Sequence, residues 1–453
     1  MVPPVRPRTP PRPAAEPERV LAGRTWSAGR LQPVEIGIDS QGRICAVGRT
    51  VRGGRRHDVG DRVVLPAAVD LHAHLREPGP ADGSETIATG TVGAALAGVS
   101  LVGEMPNTDP PTTSVERLDQ KESLARGRAA VDLLLYATPL DPQDVPDLAR
   151  RAGGFKLFLS PTTGIERVPS DPELRALLAR LAEAELPVVV HAEEPRQFRE
   201  DPPATDPRSW DSARPVGAER AAVDRMLSAP ARIRLHIAHV TSALTGGRIR
   251  DRGVSFEATA HHLLLSSSAG PDARWKVNPP LRSEAERAGL WASFAQGRVP
   301  VLASDHAPHP SDLKTRAFDR APSGVPGIQS TVPLILARVA SGDLSLPVFL
   351  QTACDRPARL LGQPLGRVSV GHRANLIVVD FREKRRLRGD RLASPCGWTP
   401  FEGAEVVFPS EHWRDGERVV DGGEYVGTAT GRVVRPEYAS GAPAGPASVG
   451  ASR

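Results

Sequence analysis

The sequence predicts an α/β protein, a (β/α)8 barrel of the TIM type with a small β-sandwich domain built from both flanks of the chain. The main observation is a single series of apolar, strand-like runs separated by stretches long enough for helices. There are eight such runs, the number that a closed barrel of this type requires. They lie at residues 67–74, 99–104, 130–137, 153–159, 186–191, 233–239, 254–258 and 299–304.

The segments between the runs and the two flanks complete the assignment. ERLDQKESLARGRA (116–129) and DPELRALLARLAEAE (171–185) have the length and apolar spacing of helices. The flanks, residues 18–66 and 365–435, instead contain short strand-like pieces with turn signals such as DSQGR and RGGRR. We therefore expect both flanks to pair into one β domain beside a barrel formed by residues 67–364.

The chain ends and the cysteines indicate a protein of a reducing compartment. Residues 1–17 are proline-rich and residues 436–453 are small and polar, which predicts disordered tails. No apolar run approaches the roughly 20 residues that span a bilayer, and the N-terminus lacks the apolar core of a signal peptide. Cys45, Cys354 and Cys396 are isolated and form no CxxC motif. We expect a cytoplasmic protein that does not bind a membrane.

The basic residues do not indicate a nucleic-acid-binding protein. The formal net charge is +5, but the basic residues are dispersed, and the densest cluster (382–391) has no aromatic residues between its charges. Only five of the 58 basic residues are lysines, so 53 are arginines. A lysine inside an apolar strand of this chain therefore needs a chemical explanation.

Side chains that can bind metal ions follow several of the predicted strands. In a (β/α)8 barrel, the catalytic groups lie at the C-terminal ends of the strands. His72 and His74 are two positions apart on the first strand, so both project to the same side and can chelate one ion. With the later strands, the candidate set is His72, His74, Lys156, His191, His239 and Asp305.

The sixth strand contains two histidines, of which only one can face the site. His236 and His239 are three positions apart, so a regular strand points them to opposite faces. We assign His239, which is nearer the strand end, as the metal ligand and His236 as a packing residue.

Lys156 lies in the apolar run GGFKLFL and raises a question of charge. An isolated buried ammonium group is costly, so this lysine must be neutralised, paired or chemically changed. Reaction of its neutral amine with CO2 would give a carbamate, an anionic bridge between two metal ions held about 3.5–4 Å apart. The alternative is an ion pair with Glu193, Glu257 or Asp305.

Ten segments, in order, resemble the dihydroorotases of the cyclic amidohydrolase family, and the resemblance covers roughly residues 60–430. The segments are DLHAHLREPG (70–79), EMPNTDPP (104–111), FKLFLS (155–160), VVHAE (189–193), HIAHVTSA (236–243), EATAHHLLLS (257–266), KVNPPLR (276–282), SDHAPH (304–309), APSGVPGIQ (321–329) and WTPFEG (398–403). An HxH pair alone would indicate only an amidohydrolase.

The resemblance implies two zinc ions per subunit and a role for each candidate residue. His72, His74 and Asp305 would hold one ion, and His191 and His239 the other. Carboxylated Lys156 would bridge them together with a hydroxide, and Asp305 would also act as the catalytic proton shuttle. The implied substrate-binding residues are Arg76, Asn107, Asn278, His309, Pro322 and Gly324. Glu257 and His262 would support the ligands from behind.

The implied reaction is the reversible cyclisation of N-carbamoyl-L-aspartate to (S)-dihydroorotate in pyrimidine (UMP) biosynthesis. Arg76 agrees with this substrate, because a guanidinium group can bind a carboxylate through two parallel hydrogen bonds. A structural salt bridge from Arg76 to Glu77 or Glu104 is the alternative. The chain departs from the family pattern at Ser84, at GEMPNT and at Trp398, none of which is a proposed ligand.

Two other functions remain open from the sequence. An allantoinase or hydantoinase would use the same metal ligands on another cyclic amide. An inactive dihydroorotase-like chain would serve as a structural partner of aspartate carbamoyltransferase, although such chains typically lose ligands that this chain retains. We expect a homo-oligomer that acts on a small molecule, with aspartate carbamoyltransferase as a candidate partner.

Overall fold

The computed structural model describes residues 16–79, 85–162, 164–199, 201 and 203–438. The strands, in chain order, are β1 (Arg19–Ser27), β2 (Arg30–Ile38), β3 (Ile44–Gly48), β4 (Arg55–Pro66), β5 (Ala68–Ala73), β6 (Val99–Glu104), β7 (Asp132–Ala137), β8 (Gly154–Phe158), β9 (Pro187–His191), β10 (Arg234–Ile237), β11 (Ser255–Thr259), β12 (Val301–Ala303), β13 (Leu376–Val379), β14 (Arg385–Arg386), β15 (Glu405–Val406), β16 (Glu411–Arg414), β17 (Glu417–Asp421) and β18 (Glu424–Tyr425).

Helices follow most of the central strands. They are α1 (Ile87–Ala97), α2 (Val115–Ala125), α3 (Val145–Ala149), α4 (Asp171–Glu183), α5 (Pro207–Ala213), α6 (Val216–Met226), α7 (Ala243–Asp251), α8 (Ala260–Leu264), α9 (Glu284–Ala295), α10 (Ser311–Lys314), α11 (Thr331–Ser341), α12 (Leu346–Phe349) and α13 (Arg356–Leu360). A π-helical turn, Leu350–Asp355, joins the last two. None of the helices in the described part of the chain is long and apolar enough to cross a membrane.

Strands β5 to β12 form one parallel eight-stranded sheet in sequential order, which confirms the predicted barrel. The sheet closes through a bridge between Ala73 and His306, and the amide of His74 donates to the carbonyl of His306 at 2.8 Å. Every residue of β5, β7 and β9 is buried. Barrel strands are covered on both faces, so their sequences are continuous apolar runs rather than alternating patterns.

The outer helices pack on the barrel through one apolar face. In α4, Leu174, Leu177, Leu178 and Leu181 are buried, at the three- and four-residue spacing of a single helix face. Ser170 and Glu173 form a capping box at its N-terminus. Each buried leucine contributes roughly 1.5–3 kcal/mol to folding.

The two flanks form one continuous sheet with the order β18-β17-β16-β13-β4-β1-β2-β3. The long strand β4 pairs in parallel with β1 and antiparallel with β13, so the N-terminal and C-terminal flanks meet there. The predicted composition of the β domain from both ends of the chain is therefore confirmed.

A buried carboxylate joins this sheet to the barrel. Asp132, the first residue of β7, accepts hydrogen bonds from Arg373 at 2.6 Å and from Arg414 at 2.9 Å. Because the carboxylate is fully buried, both arginines are needed to offset its desolvation. This pairing fixes the β domain beside the barrel wall.

The predicted tails fall mostly at residues 1–15 and 439–453, outside the described residues, as does Ser84. Tyr438, within the predicted C-terminal tail, packs on the barrel. Its hydroxyl donates to the carbonyl of Leu360 at 2.8 Å, and the guanidinium group of Arg234 lies 3.9 Å from its ring centre.

Candidate metal centre and substrate pocket

A cavity opens at the C-terminal ends of the barrel strands. All six side chains that the sequence suggested as metal ligands line it, together with four of the suggested substrate-binding residues. These residues are His72, His74, Lys156, His191, His239, Asp305, Arg76, Asn107, Asn278 and Gly324. Barrel topology brings them together, because parallel strands end at the same rim.

His72, His74 and Asp305 form a group that can hold a metal ion, with their ligand atoms within 4.8 Å of one another. Oδ1 of Asp305 lies 3.3 Å from Nε2 of His72 and 3.2 Å from Nε2 of His74. Burial lowers the pKa of His72 to about 4 and holds the pKa of His74 well below its usual range. Both imidazoles are therefore neutral at physiological pH, the state in which histidine binds metals.

His191 and His239 form a second pair of facing ligand atoms. Nδ1 of His191 lies 2.9 Å from Nε2 of His239. Burial lowers the pKa of both rings, so they too are neutral at physiological pH. The ring of His239 is 5.4 Å from that of His72, so the two ligand groups are adjacent.

Lys156 lies beside the first ligand group, and its charge also acts on the rings of His191 and His239. Its Nζ atom is 3.2 Å from Nε2 of His72 and 5.3 Å from the ring centre of Phe158. Burial lowers the pKa of this lysine to about 8, which increases the fraction of neutral amine.

The carboxylates that could have paired with Lys156 are held by other groups. Glu257 bonds to two histidines, Glu193 pairs with His191 and Arg214, and Asp305 faces His72 and His74. No oxygen of the three carboxylates lies within 4.0 Å of Nζ of Lys156. The geometry therefore does not provide the ion pair that was the alternative for this lysine.

Glu257, from β11, orients the first ligand group from behind. Its Oε1 accepts from Nδ1 of His72 at 2.6 Å and from the amide of His239 at 3.3 Å, and its Oε2 accepts from Nε2 of His236 at 3.0 Å. Although burial opposes ionisation, His72 and His236 hold the pKa of Glu257 well below its usual range. A carboxylate behind a ligand histidine fixes the tautomer and orientation of the ring.

His236 is more than a packing residue in the structure. It is fully buried and joins Glu257 to the hydroxyl of Ser255, which lies 3.0 Å from its Nδ1. The sequence placed this side chain away from the site, and the structure connects it to His72 through one carboxylate.

Two other ligand histidines, His191 and His74, also have partners on the ring nitrogen that faces away from the ligand cluster, whereas Nδ1 of His239 is buried without one. Nε2 of His191 lies 3.0 Å from Oε2 of Glu193, which in turn pairs with Arg214. Nδ1 of His74 lies 2.7 Å from Oδ1 of Asn107. Asn107 thus contacts a ligand directly, although the resemblance suggested it for substrate binding. Glu193 and Arg214 were not predicted from the sequence as site residues. Glu193 could have been found from its position in VVHAE, two residues after the ligand His191.

Three site residues have left-handed backbone conformations. The φ angles are 61° at Arg76, 35° at His239 and 44° at Asp305. Positive φ is uncommon for residues other than glycine and clusters at functional sites, where the fold over-determines the conformation. Strand β10 ends at Ile237, so His239 reaches the cavity from a turn after the strand rather than by strand alternation.

Arg76 extends along the cavity rim beside the SDHAPH segment. Its Nε donates to the carbonyl of Pro308 at 3.3 Å, and one terminal nitrogen lies 3.3 Å from Nε2 of His309. The glutamates that were its alternative partners pair elsewhere, Glu77 with Arg128 and Glu104 with Lys121.

Asn278 has its amide orientation fixed by two donors. Trp210 Nε1 and the hydroxyl of Ser323 each donate to Oδ1 of Asn278, both at 3.2 Å. With Oδ1 engaged in this way, the amide nitrogen remains as the group that can donate into the cavity. Ser323 lines the cavity as well and was not singled out from the sequence.

The remaining predicted residues lie around this wall. Gly324 has φ 137°, and a Cβ atom there would lie 2.4 Å from the carbonyl oxygen of Ala307, so only glycine fits. Pro322 does not line the cavity, and its carbonyl accepts from Lys314. His262 lies behind the wall, where its Nε2 is 3.0 Å from the carbonyl of Pro279 and its Nδ1 is 2.8 Å from the hydroxyl of Thr259.

Comparison with known proteins gives a consistent result over nearly the whole chain. A family model described as dihydro-orotase-like matches residues 61–160. The chain is 35% identical to a dihydroorotase of Halobacterium salinarum, over 92% of this chain and 100% of that one. It is 32% identical to a dihydroorotase of Thermoplasma volcanium, over 93% and 99% of the two chains.

Among solved structures, the fold is similar to an L-hydantoinase (dihydropyrimidinase) from Arthrobacter aurescens. The TM-score is 0.85 at 26% identity, and the match covers 92% of this chain and 99% of that chain. By its similarity to the archaeal proteins, the chain belongs to the dihydroorotase family of cyclic amidohydrolases.

Proposed function

We propose that this protein is a dihydroorotase that interconverts N-carbamoyl-L-aspartate and (S)-dihydroorotate. The observation that carries the proposal is the presence, in one cavity, of a six-residue ligand set and the guanidinium group of Arg76. A cyclic ureide with a carboxylate needs both an electrophilic centre for its ring carbonyl and a cation for its anion. This activity would serve de novo pyrimidine (UMP) biosynthesis.

The donor set suits two divalent ions, which we propose to be zinc. Neutral imidazoles and carboxylate oxygens are common zinc ligands. His72, His74 and Asp305 would hold one ion, His191 and His239 the other, and Lys156, carboxylated by CO2, would bridge them. When bound, such a pair supplies an activated hydroxide and polarises the carbonyl that it attacks. The lowered pKa of Lys156 supports the carbamate, because only the neutral amine reacts with CO2.

Recognition of the substrate would use the wall opposite the ligand histidines. Arg76 and His309 would bind the carboxylate, and the amide nitrogen of Asn278 would donate to an oxygen of the ring. Ser323 and Trp210 support this role for Asn278, because both donate to its Oδ1 and so direct its nitrogen to the substrate. The backbone of Gly324 can approach the ring closely because it carries no side chain.

Asp305 would move the proton. In hydrolysis, its carboxylate would receive the proton of the attacking hydroxide and deliver it to the ring nitrogen as the C–N bond breaks. In ring closure, the carboxyl group starts protonated and the same transfers run in reverse. The position of its Oδ1, 3.2 Å from Nε2 of His74, supports this role.

The test is a comparison of three substrates with the purified, metal-analysed protein. We expect turnover of dihydroorotate to exceed turnover of hydantoin and allantoin, because neither of these places a carboxylate on the ring for Arg76. A preference for hydantoin or allantoin would favour the alternative cyclic amidohydrolase activity. A protein that contains metal but turns over none of the three would favour the inactive structural partner.

We further propose a cytoplasmic, homo-oligomeric enzyme, with aspartate carbamoyltransferase as a candidate partner. A reducing location is supported by Cys45, Cys354 and Cys396, all of which are free thiols. Size-exclusion chromatography with light scattering, on the protein alone and mixed with the carbamoyltransferase, tests both associations. A monomer that co-elutes with nothing would contradict them.

A further inference from the structure

Two of the five lysines of this chain are buried behind the substrate wall without a carboxylate partner. Lys276 is 5% exposed and Lys314 is fully buried. Among the described residues, no Asp or Glu oxygen lies within 4.0 Å of either ammonium nitrogen. Burial without a counter-ion is costly, so these lysines are not explained by stability.

The ammonium group of Lys276 is coordinated by backbone carbonyls. Its Nζ donates to the carbonyls of Phe318 at 2.7 Å, Ala321 at 2.9 Å and Asp319 at 3.1 Å. An ammonium group has three protons, and each has one acceptor here. The nitrogen also lies 4.8 Å from the ring centre of Trp210, where a cation is attracted to the aromatic face.

Lys314 joins the same segment to the start of the KVNPPLR motif. Its Nζ donates to the carbonyl of Pro322 at 2.9 Å and to the carbonyl of Lys276 at 3.1 Å. That carbonyl also accepts from the amide of Gly324 at 2.9 Å. The two lysines, the lysine clamp, therefore hold residues 318–324 against the segment that contains Asn278.

The clamp contacts the groups that face the substrate. Ser323 and Gly324 follow directly after the clamped carbonyl of Pro322, and both line the cavity. Trp210, which packs against the ammonium group of Lys276, donates to Oδ1 of Asn278. A shift of either lysine would thus move the wall that orients the substrate.

Burial lowers the pKa of Lys276 to about 8 and that of Lys314 to about 7. Asp319 opposes the shift at Lys276 and Arg214 adds to it, whereas Asp272 opposes the shift at Lys314 and Lys276 adds to it. The fold thus buries two amines whose charged forms are disfavoured, which is expected for groups that serve geometry rather than stability.

We propose that Lys276 and Lys314 are positioning residues for substrate recognition, and that their carbonyl-bound ammonium groups fix Asn278, Ser323 and Gly324 for binding. They do not touch the metal ligands, so their loss acts on KM rather than on metal content or kcat. The part of this inference that concerns KM rests on the proposed dihydroorotase activity. When the side chain of Lys276 is removed, the three carbonyls that accepted from its ammonium group form a binding site for a free ammonium ion.

The experiment uses Lys276→Met and Lys276→Ala in the full-length, metal-loaded protein. We expect KM for dihydroorotate to rise about ten- to a hundredfold, as displacement of a positioning group does, with kcat and metal content close to the parent. Amide hydrogen exchange of residues 318–324 should become faster. In Lys276→Ala, ammonium chloride should reverse part of both changes, whereas sodium chloride at the same concentration should not.

Two controls separate positioning from general destabilisation. Lys384→Met removes a half-exposed lysine that pairs with Glu405, and it should leave KM unchanged. Leu181→Ala destabilises the core at α4 and should lower the melting temperature without raising KM. If Lys276→Met does not fold, Lys314→Met, which removes two contacts instead of three, takes its place in the same test.

The outcomes distinguish the two proposals. Unchanged KM and unchanged exchange in the lysine variants would overturn the clamp. Faster exchange with unchanged KM would overturn its role in recognition. If the parent protein does not turn over dihydroorotate, the proposed function fails, and the exchange data with ammonium still decide whether the lysines hold this wall.

Discussion

Replacing Glu257 by glutamine is expected to weaken metal binding about 10- to 100-fold while the barrel stays folded. The carboxylate of Glu257 accepts from His72 at 2.6 Å, from His236 at 3.0 Å and from the amide of His239 at 3.3 Å. Glutamine has one acceptor oxygen, and its amide group would face at least one of these N–H donors. The ring of His72 would then lose the negative charge that fixes its tautomer.

The magnitude follows from the number and type of bonds that change. A hydrogen bond to a charged acceptor is roughly twice as strong as a neutral one. The 10- to 100-fold loss in metal affinity corresponds to about 1.4–2.8 kcal/mol, since each 1.4 kcal/mol is a factor of ten. This is the scale expected when one charged hydrogen bond becomes neutral and another is lost.

The assay is a competition between the protein and a chelator of known affinity, with metal content measured on the dialysed protein. Glu411→Gln provides the control, because Glu411 is a buried carboxylate paired with His57 at 2.9 Å in the β domain, away from the cavity. The control should retain the affinity of the parent. If Glu257→Gln also retains it, the carboxylate does not act on the metal through His72.

Four further changes test the site and the fold. Lys156→Ala should lose metal and activity together, and a short carboxylic acid should restore part of both; retention of two metals and normal turnover would exclude the carbamate. Arg76→Met should weaken dihydroorotate by the ~1.5–3 kcal/mol of a charge-assisted pair but an uncharged ring analogue much less, and equal losses would refute carboxylate binding. The rate of hydrolysis should rise with pH to a plateau while the rate of ring closure falls over the same interval. Asp305→Asn with its metals retained should suppress both directions. Two pH profiles that rise and fall together, or normal turnover by this variant, would exclude Asp305 as the proton shuttle. Burial lowers the pKa of His412 to about 4, so the unfolded chain binds a proton first as the pH falls below about 6.5. The free energy of unfolding should therefore decrease from about pH 6.5 to about pH 4, and it should decrease less steeply in His412→Gln. Equal pH dependence of the parent and the variant in urea titrations would contradict this.

Most of the architecture could be predicted from local sequence. The eight barrel strands are buried on both faces, so each one is a short apolar run whose position needs no knowledge of its neighbours. The rule that strand ends converge at one rim predicts that His72, His191 and Asp305 belong to one site. Strand parity favoured His239 over His236, but β10 ends at Ile237, so His239 reaches the cavity for a different reason.

The contacts that complete the site depend on tertiary structure. Glu257 lies between His72 and His236 because strands β5, β10 and β11 direct these side chains inward at matching depth, and no local pattern encodes that depth. His239 reaches the cavity through a left-handed turn after its strand, which the surrounding packing must impose. Lys276 has carbonyl partners 42 to 45 residues away, supplied by an irregular segment. Sequence periodicity determines the regular elements because it reflects neighbouring residues, whereas register and loop paths determine which side chains meet.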